Sequence, residues 1–524
     1  MNKYFRFIFG LEDFLKDVLT PERCVKGIKE RINNREDNFL KTVKKCIYGY
    51  NRSPYLKLLK VAKIDFEDIG SFVSKSGVKG TLQILKNEGV YLTLDEVKGR
   101  KAVVRKGSVF RFKETDFNNP FTLPAFYIRS GGTMSGGTGT KASISFEFLE
   151  QRAWHRWVMF DMYELFKGPL IIWYPTLGGV EMGILLECAK IGKPPLFFFY
   201  QIDKKLRKPS FIAEVAFAYL RYIGRKEGLT IPYPEAIVPA KVSKILDCIN
   251  SVMKNHLSCC IRTFVSSAVK ICAASKRNDN RLDGINFWVS GEPLTTKRLE
   301  EISSVGAKSI CQYSFGETGG TVAIGCRNPI ASDDTHLFKD LFAVIQHKKR
   351  VDSADTSFDA FLFTTLNPGA PKILLNVENG DYGIIENRDC GCKLGELGLD
   401  THIYNIRSFE KFNSEGMTIF GCDLIKIIEE ILVPKYGGSS IDYQFIEAQD
   451  GAHAPITLNI NPDINDMDEE EIVRAIYKEL SSMGQAYRTQ VAIWQQANTL
   501  RIKRTQPIPN KRGKIYPVRV ESNV

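Results

Sequence analysis

Between Ser130 and Lys141 the chain reads Ser-Gly-Gly-Thr-Met-Ser-Gly-Gly-Thr-Gly-Thr-Lys, five glycines and five hydroxyl residues ending in a cation. Glycines let successive backbone N–H groups turn toward one centre, and hydroxyls add short donors. With a lysine beside them, such donors suit a polyphosphate. The plain alternative for this composition is a flexible surface loop. The flanks favour the grip. Phe126-Tyr127-Ile128 reads as a short apolar strand, and Ser143-Ile144-Ser145-Phe146-Glu147-Phe148 alternates like a second one. Two common phosphate loops are excluded. G-x-x-x-x-G-K-[ST] fails because Thr140 precedes Lys141, and G-x-G-x-x-G fails because Ala142 stands where a third glycine is needed after Gly137 and Gly139. The phosphate candidates are therefore Ser130, Gly131, Gly132, Thr133, Ser135, Gly136, Gly137, Thr138, Gly139, Thr140 and Lys141, in a strand–loop–strand setting.

Five further groups of residues could do chemistry. Ser290-Gly291-Glu292-Pro293-Leu294 follows an apolar strand, and Tyr313-Ser314-Phe315-Gly316-Glu317-Thr318-Gly319-Gly320 ends another. A carboxylate at a strand end among glycines, as Glu317 is, can approach a hard cation closely, but taken alone Glu317 would be an ordinary solvated loop acid. Glu378-Asn379-Gly380-Asp381 reads as a turn with Asn-Gly as its signal, and by itself it is a plain hairpin turn carrying a carboxylate. Cys326, His336, Cys390 and Cys392, spaced as Cys-x₉-His and Cys-Gly-Cys, offer one imidazole and three thiols to a tetrahedral zinc ion. His347 and His402 are substitutes for His336 in that set. Lys514 lies in Pro507–Ile515, a basic terminal segment.

The elements that must position these residues are legible in outline. Residues 1–70 read as charged helices, followed by shorter segments to Asn119, with a helix near Thr81–Asn87 and a strand at Val90–Leu92. A helix over about Leu149–Phe166 follows the loop, with Trp154, Trp157 and Met162 as its core stripe. Leu170–Tyr174 and Pro195–Tyr200 are short continuous apolar runs flanking a helical segment, the pattern of buried parallel strands. Helices are expected at Ile212–Ile223, Ala240–Met253 and His256–Ser275, the last carrying Cys259 and Cys260. Strands are expected at Ile285–Val289, Ala360–Leu366 and Ile373–Val377. Beyond Ile406 the composition shifts to a helix at Asp423–Leu432, a strand at Ile456–Ile460 and a helix at Glu469–Met483 with Asp466 as its cap.

Taken in order, the glycine loop, Gly-Glu-Pro-Leu, Tyr-x-x-Gly-Glu-Thr-Gly-Gly, Gly-Asp and the terminal Gly513-Lys514-Ile515 resemble the adenylate-forming ligases. The nearest branch is that of phenylacetate–CoA ligases and acyl-protein synthetases. The resemblance covers about residues 50–520 and implies an α/β fold: a large N-terminal domain (1–406) with β-sheets packed between helices, and a small mobile C-terminal α+β domain (407–524). It implies that Gly291, Glu292 and Pro293 contact adenine, that Tyr313, Gly316 and Glu317 frame Mg·ATP, and that Asp381 takes the ribose hydroxyls. Lys514 then bridges substrate carboxylate and α-phosphate. The family hinge, commonly Gly-Arg-x-Asp-Asp, survives only as Arg407, and the glycine loop is longer than usual; both lean toward a specialised biosynthetic role.

The activity implied is that of an AMP-forming ligase, which makes an acyl-adenylate and passes the acyl group to coenzyme A, a carrier-protein thiol, an amine or a partner's side chain. The alternative is a catalytically silent nucleotide-binding relative acting through a protein partner. Composition is compatible with both. The net charge of +12, from 72 basic and 60 acidic residues, suits anionic ligands such as ATP or coenzyme A. The basic residues are scattered without a nucleic-acid motif, so no nucleic-acid partner is expected. No run reaches the length of a membrane helix, and the start, broken by Arg6, Glu12 and Asp13, is a poor signal peptide. A cytoplasmic home with the 12 cysteines mostly reduced is the expectation.

Overall fold

The computed structural model describes residues 3–129, 141–174, 180–201, 211–238, 241–351, 354–408, 411–414, 417–448, 456–464, 467–510 and 513–521. The chain opens with helices Lys3–Lys16, Pro21–Asn33, Arg35–Val43, Pro54–Ala62 and Phe66–Asn87. Their starts are chemically marked. Thr20 accepts from the Arg23 N–H before Pro21, and Asp65 and Asp68 form a reciprocal capping box. The helical region thus runs past residue 70 to Asn87, with a break at Gly77, whose φ of 64° is outside helical space. Val90–Leu92 is not a full strand; Leu92 makes one isolated bridge to Val377.

Twelve described strands form one mixed sheet. One half is parallel and runs Glu235–Ala236, Phe197–Tyr200, Leu170–Tyr174, Cys259–Phe264, Ile285–Ser290, Lys308–Phe315. The other half continues antiparallel as Gly320–Gly325, Thr335–Leu337, Thr401–Ser408, Val377–Asn387, Ala354–Thr365 and Phe342–Val351. The apolar runs explain the parallel half, since both faces are covered. Leu170, Ile172 and Tyr174 enter one core, while Ile171 and Trp173 enter the other against helices Val242–Met253 and Val265–Arg277.

Five sequence expectations change here. Cys259–Phe264 is a central strand, not the start of a helix, and the helix begins at Val265. All six residues are buried, so the segment shows no amphipathic period, and sheet neighbours decided its state. Phe146–Phe148 belongs to a helix, Phe146–Met162; Ser145 caps it by accepting from the Phe148 N–H, and the second strand of the glycine hairpin is only Lys141–Ile144. Glu378–Asp381 lies within the strand Val377–Asn387, with Gly380 at φ 90° and a register shift nearby, while Ile373–Asn376 lies outside any strand. Asp468, accepting from the Glu470 and Glu471 N–H groups, caps the helix Glu469–Ser482; Asp466 lies outside the described residues.

A separate four-stranded sheet, in the order Leu500–Arg504, Ile456–Ile460, Tyr443–Ala448, Val518–Glu521, carries helices Glu469–Ser482 and Gln485–Ala497. Its own core gathers Leu424, Ile428, Tyr443, Leu458, Ile476 and Trp494. The protein is therefore α/β, with a large mixed-sheet unit and a small C-terminal one. The small unit docks on the helix Thr296–Ser303: Ser440 donates to Glu301 through its N–H (2.8 Å) and hydroxyl (3.0 Å), and Thr295 donates to Glu429 (2.7 Å). Arg407 is still paired within the large sheet, opposite Tyr382. No helix among the described residues is long and apolar enough to cross a membrane.

Candidate active site

Parallel strands deliver their carboxyl ends to one place, and ligands of open α/β sheets bind there. Here Tyr174, Phe264, Ser290 and Phe315 stand at four such ends and line one cavity of about 300 Å³ between the two units. The same cavity is lined by Gly291, Glu292, Pro293, Tyr313, Gly316, Glu317, Asp381, Arg407 and Lys514. Nine sequence-predicted residues from segments over 200 positions apart thus meet in one hollow. Ser130–Thr140 lies outside the described residues; of that group only Lys141 is described, with its ammonium 3.9 Å from the Tyr127 ring centre.

Lys514 arrives from the terminal segment. Gln444, fully buried, pins that segment by donating to the Tyr516 carbonyl (2.8 Å) and the Ile508 carbonyl (3.1 Å), and by accepting from the Ile508 N–H (2.7 Å). Lys514 Nζ then donates to the Gly291 carbonyl at 2.8 Å and lies 4.5 Å from the Phe264 ring centre. Gly291 has φ 82°, a backbone conformation that favours glycine, and a Cβ there would crowd Lys514 Nζ at 2.7 Å. The Glu292 carboxylate accepts from the Ser266 N–H and hydroxyl at the start of the helix Val265–Arg277, where negative charge is favoured.

Asp381 is held by three donors: Tyr313 OH and Ser408 Oγ at 2.6 Å each, and Asn379 Nδ2 at 2.9 Å. Burial pushes its carboxyl above the usual range against the opposing pull of those donors. Burial, and then Asp381 itself, push the Tyr313 phenol well above its ordinary value. Glu317 faces an ammonium: Lys98 Nζ is 2.7 Å from its Oε1 and 3.3 Å from Glu114. Arg407 donates to Asp333, which also accepts from the Asn405 and Ile406 N–H groups.

Beneath these residues is a set the sequence reading missed. Arg152 and Arg156 share Glu187, at 2.8 and 3.0 Å. Arg262 donates to the Trp288 carbonyl (3.0 Å), Ser290 Oγ and Tyr174 OH (3.4 Å). Trp288 stacks under both Arg156 and Arg262 and donates to Gln312. Arg262 sat inside a segment read as helix, so nothing local marked it. Had the segment been read as a strand, period two would have aligned it with Cys260 and Phe264 on the cavity side.

The Cys/His residues also meet, away from the cavity. Donor atoms of Cys326, His336, Cys390 and His402 lie within 4.8 Å of one another, and Cys392 Sγ is 3.2 Å from His336 Nε2. His336 and His402 are cross-strand partners. His336 Nδ1 faces the Leu399 carbonyl and His402 Nδ1 faces Asp334 at 2.7 Å, so both Nε2 atoms point inward, and His402 Nε2 is buried with no hydrogen-bond partner among the described residues. A ring held at Nδ1 with a bare Nε2 is how metal-ligating histidines are prepared. His402 thus joins the predicted set, while His347 pairs with Glu378. All twelve cysteines are free thiols.

No protein-family model matches this chain, and no curated protein does. Among solved structures it is similar to an anthranilate CoA ligase in complex with anthranoyl-AMP, at 12% identity and TM-score 0.46, covering 74% of this chain and 64% of that one. It is also similar to the McyG A-PCP protein with phenylalanyl-adenylate, at 10% identity and TM-score 0.44, covering 86% and 72%. A third is the O-succinylbenzoate coenzyme A synthetase of Bacillus subtilis with ATP and magnesium ion, at 11% identity and TM-score 0.41, covering 75% and 69%. The chain spans less than two thirds of the anthranilate ligase's length.

Proposed function

We propose that this protein activates a carboxylic acid with ATP, forming an acyl-adenylate with release of pyrophosphate, and then passes the acyl group to a thiol or another nucleophile. The observation that carries this reading is the meeting of Lys514 with Gly291, Tyr313, Glu317 and Asp381 at the carboxyl ends of the parallel strands. In the reaction a substrate carboxylate oxygen attacks the α-phosphorus, and the bond to the pyrophosphate oxygen breaks. Negative charge builds on the α-phosphoryl oxygens, and a fixed ammonium stabilises it because it needs no reorganisation. Lys514 is that ammonium, supplied by the small unit and held by Gln444.

Asp381 is the ribose reader. Ser408 and Asn379 already donate to its two oxygens, so a vicinal diol exchanges equivalent hydrogen bonds at little net cost. Gly291 and Pro293 offer backbone and ring to adenine, while the Glu292 carboxylate stays on Ser266. Ser130–Lys141 is the phosphate grip. Mg²⁺ supplies neutralisation of phosphate charge, and Glu317 is the carboxylate that would hold it, a place now taken by Lys98. The protein is read as cytoplasmic, with residues 1–406 and 407–524 as its two domains and coenzyme A or a carrier protein as acceptor. Cys326, His336 and Cys390, completed by Cys392 or His402, would hold a structural Zn²⁺ outside the reaction.

A second reading, a silent nucleotide-binding relative, draws on the Lys98–Glu317 pair and on an Asp381 already satisfied within the protein. One experiment separates the two: carboxylate-dependent pyrophosphate release from ATP over aryl, fatty and amino acids, for the wild type and Lys514→Ala. Activation predicts release with one acid class and a loss of about 10²–10³-fold in the variant. ATP binding with no release across the panel would favour the silent relative.

A further inference from the structure

Arg152 and Arg262 line the cavity, Arg156 lies behind them, and one carboxylate serves two of these three arginines. Arg152 and Arg156 share Glu187; Arg262 makes no ion pair among the described residues. Arg262 is 1% exposed and yet lines the cavity, and its Nε has no hydrogen-bond partner among those residues. Its neighbours are a carbonyl, two hydroxyls and the faces of Trp288 and Tyr174, with ring centres 4.5 and 5.1 Å away. Cation–π contact offsets part of the desolvation of a guanidinium, but much less than a carboxylate would. Arg156 is close enough to add repulsion. A buried cation without a counter-charge is costly, and a well-packed apolar residue there would cost less. Such a charge is retained where a ligand completes it.

Lys514 and Arg262 are anchored on successive residues, Lys514 on the Gly291 carbonyl and Arg262 on the Ser290 hydroxyl. Two cations therefore face one small space whose wall includes apolar Ile128, Ile184 and Phe264. A reacting carboxylate accounts for Lys514 and leaves the deeper cation unmatched.

We propose that Arg262 sets substrate class: the acid this protein takes carries a second anionic group, a carboxylate in the simplest case, which Arg262 receives in the cavity floor together with Tyr174 and Ser290. The planar guanidinium suits a carboxylate in two-pronged contact. The proposal rests on the acid-activating reading for the identity of the ligand.

The test uses the full-length protein and matched acids differing only in a second carboxylate: benzoate against terephthalate, and hexanoate against adipate. Pyrophosphate release is measured for the wild type, Arg262→Met and Arg262→Lys. The expected result is a kcat/KM at least tenfold higher for the diacid of a pair. Arg262→Met lowers the diacid value by about 10²-fold, mainly through KM, leaves the monoacid within a few-fold, and is partly rescued in Arg262→Lys. Equal losses with mono- and diacid would make Arg262 a structural residue and overturn the proposal. So would an equal loss of ATP affinity without acid present, which would assign the cation to a nucleotide phosphate. If no acid releases pyrophosphate, the activating reading fails, and titration calorimetry with the same pairs decides the anion site alone. Tighter diacid binding in the wild type, lost in Arg262→Met, upholds it; equal or no binding overturns it.

Discussion

Glu187→Gln removes one negative charge from behind the cavity wall while keeping the side chain's shape. Glu187 is fully buried and holds Arg152 at 2.8 Å and Arg156 at 3.0 Å, so the substitution leaves three buried guanidiniums with no acid among them. At an effective dielectric of about 20, each pair carries roughly 6 kcal/mol of Coulomb attraction, most of which repays desolvation. Breaking a buried pair typically costs about 3–5 kcal/mol, and with two guanidiniums released the upper end is expected here. Against the usual stability of about 5–15 kcal/mol, the large unit would stand near its limit. Urea unfolding at pH 7, followed by tryptophan fluorescence, should show a lower midpoint with an unchanged slope. Adding Arg156→Met removes one of the released cations and should recover part of the loss, a non-additive result for residues in contact. A loss below about 1 kcal/mol for Glu187→Gln would refute the view that the floor is an excess-cation site needing this acid, and with it the reasoning applied to Arg262.

Other consequences are equally direct. Purified protein should carry zinc; Cys390→Ser and strong chelators should remove it and lower the melting temperature. The intensity of the Co²⁺-substituted spectrum, which tracks thiolate number, should tell a three-thiolate site with Cys392 from a two-thiolate site with His402. Asp340 is buried, and although burial alone would raise its carboxyl, His155 at 2.9 Å and Arg31 at 2.7 Å outweigh that and hold it well below the usual range. A folded-state value below the unfolded one near 3.9 gives stability that is complete above about pH 4 and is lost as pH falls toward the folded-state value. Asp340→Asn should therefore cost about 3–5 kcal/mol at pH 7, with the deficit shrinking below about pH 4 in acid-titrated melts.

What the amino-acid order determined by itself was whatever repeats or terminates locally. Continuous apolar runs marked Leu170–Tyr174 and Phe197–Tyr200 as buried parallel strands because both their faces are covered. The helix Glu469–Ser482 could be read because three acids at its start and an apolar stripe obey helical spacing. Gly291, Glu317, Asp381 and Lys514 sit in short glycine-flanked patterns and were singled out by the resemblance that those patterns carry as a series. The patterns name the residues, though not what touches them. That Glu317 meets Lys98, that Glu292 caps a helix at Ser266, and that Asp381 is held by Tyr313 and Ser408 depends on contacts between distant segments. Cys259–Phe264 shows the limit most clearly. Six residues with no apolar–polar period suit a buried strand or a buried helix equally, and only the strands on either side decide. Arg262 became visible as a cavity residue only with that decision. Its surroundings come from residues 88 positions before it and 26 and 28 after it, and no local pattern encodes a charge balance summed over such separations.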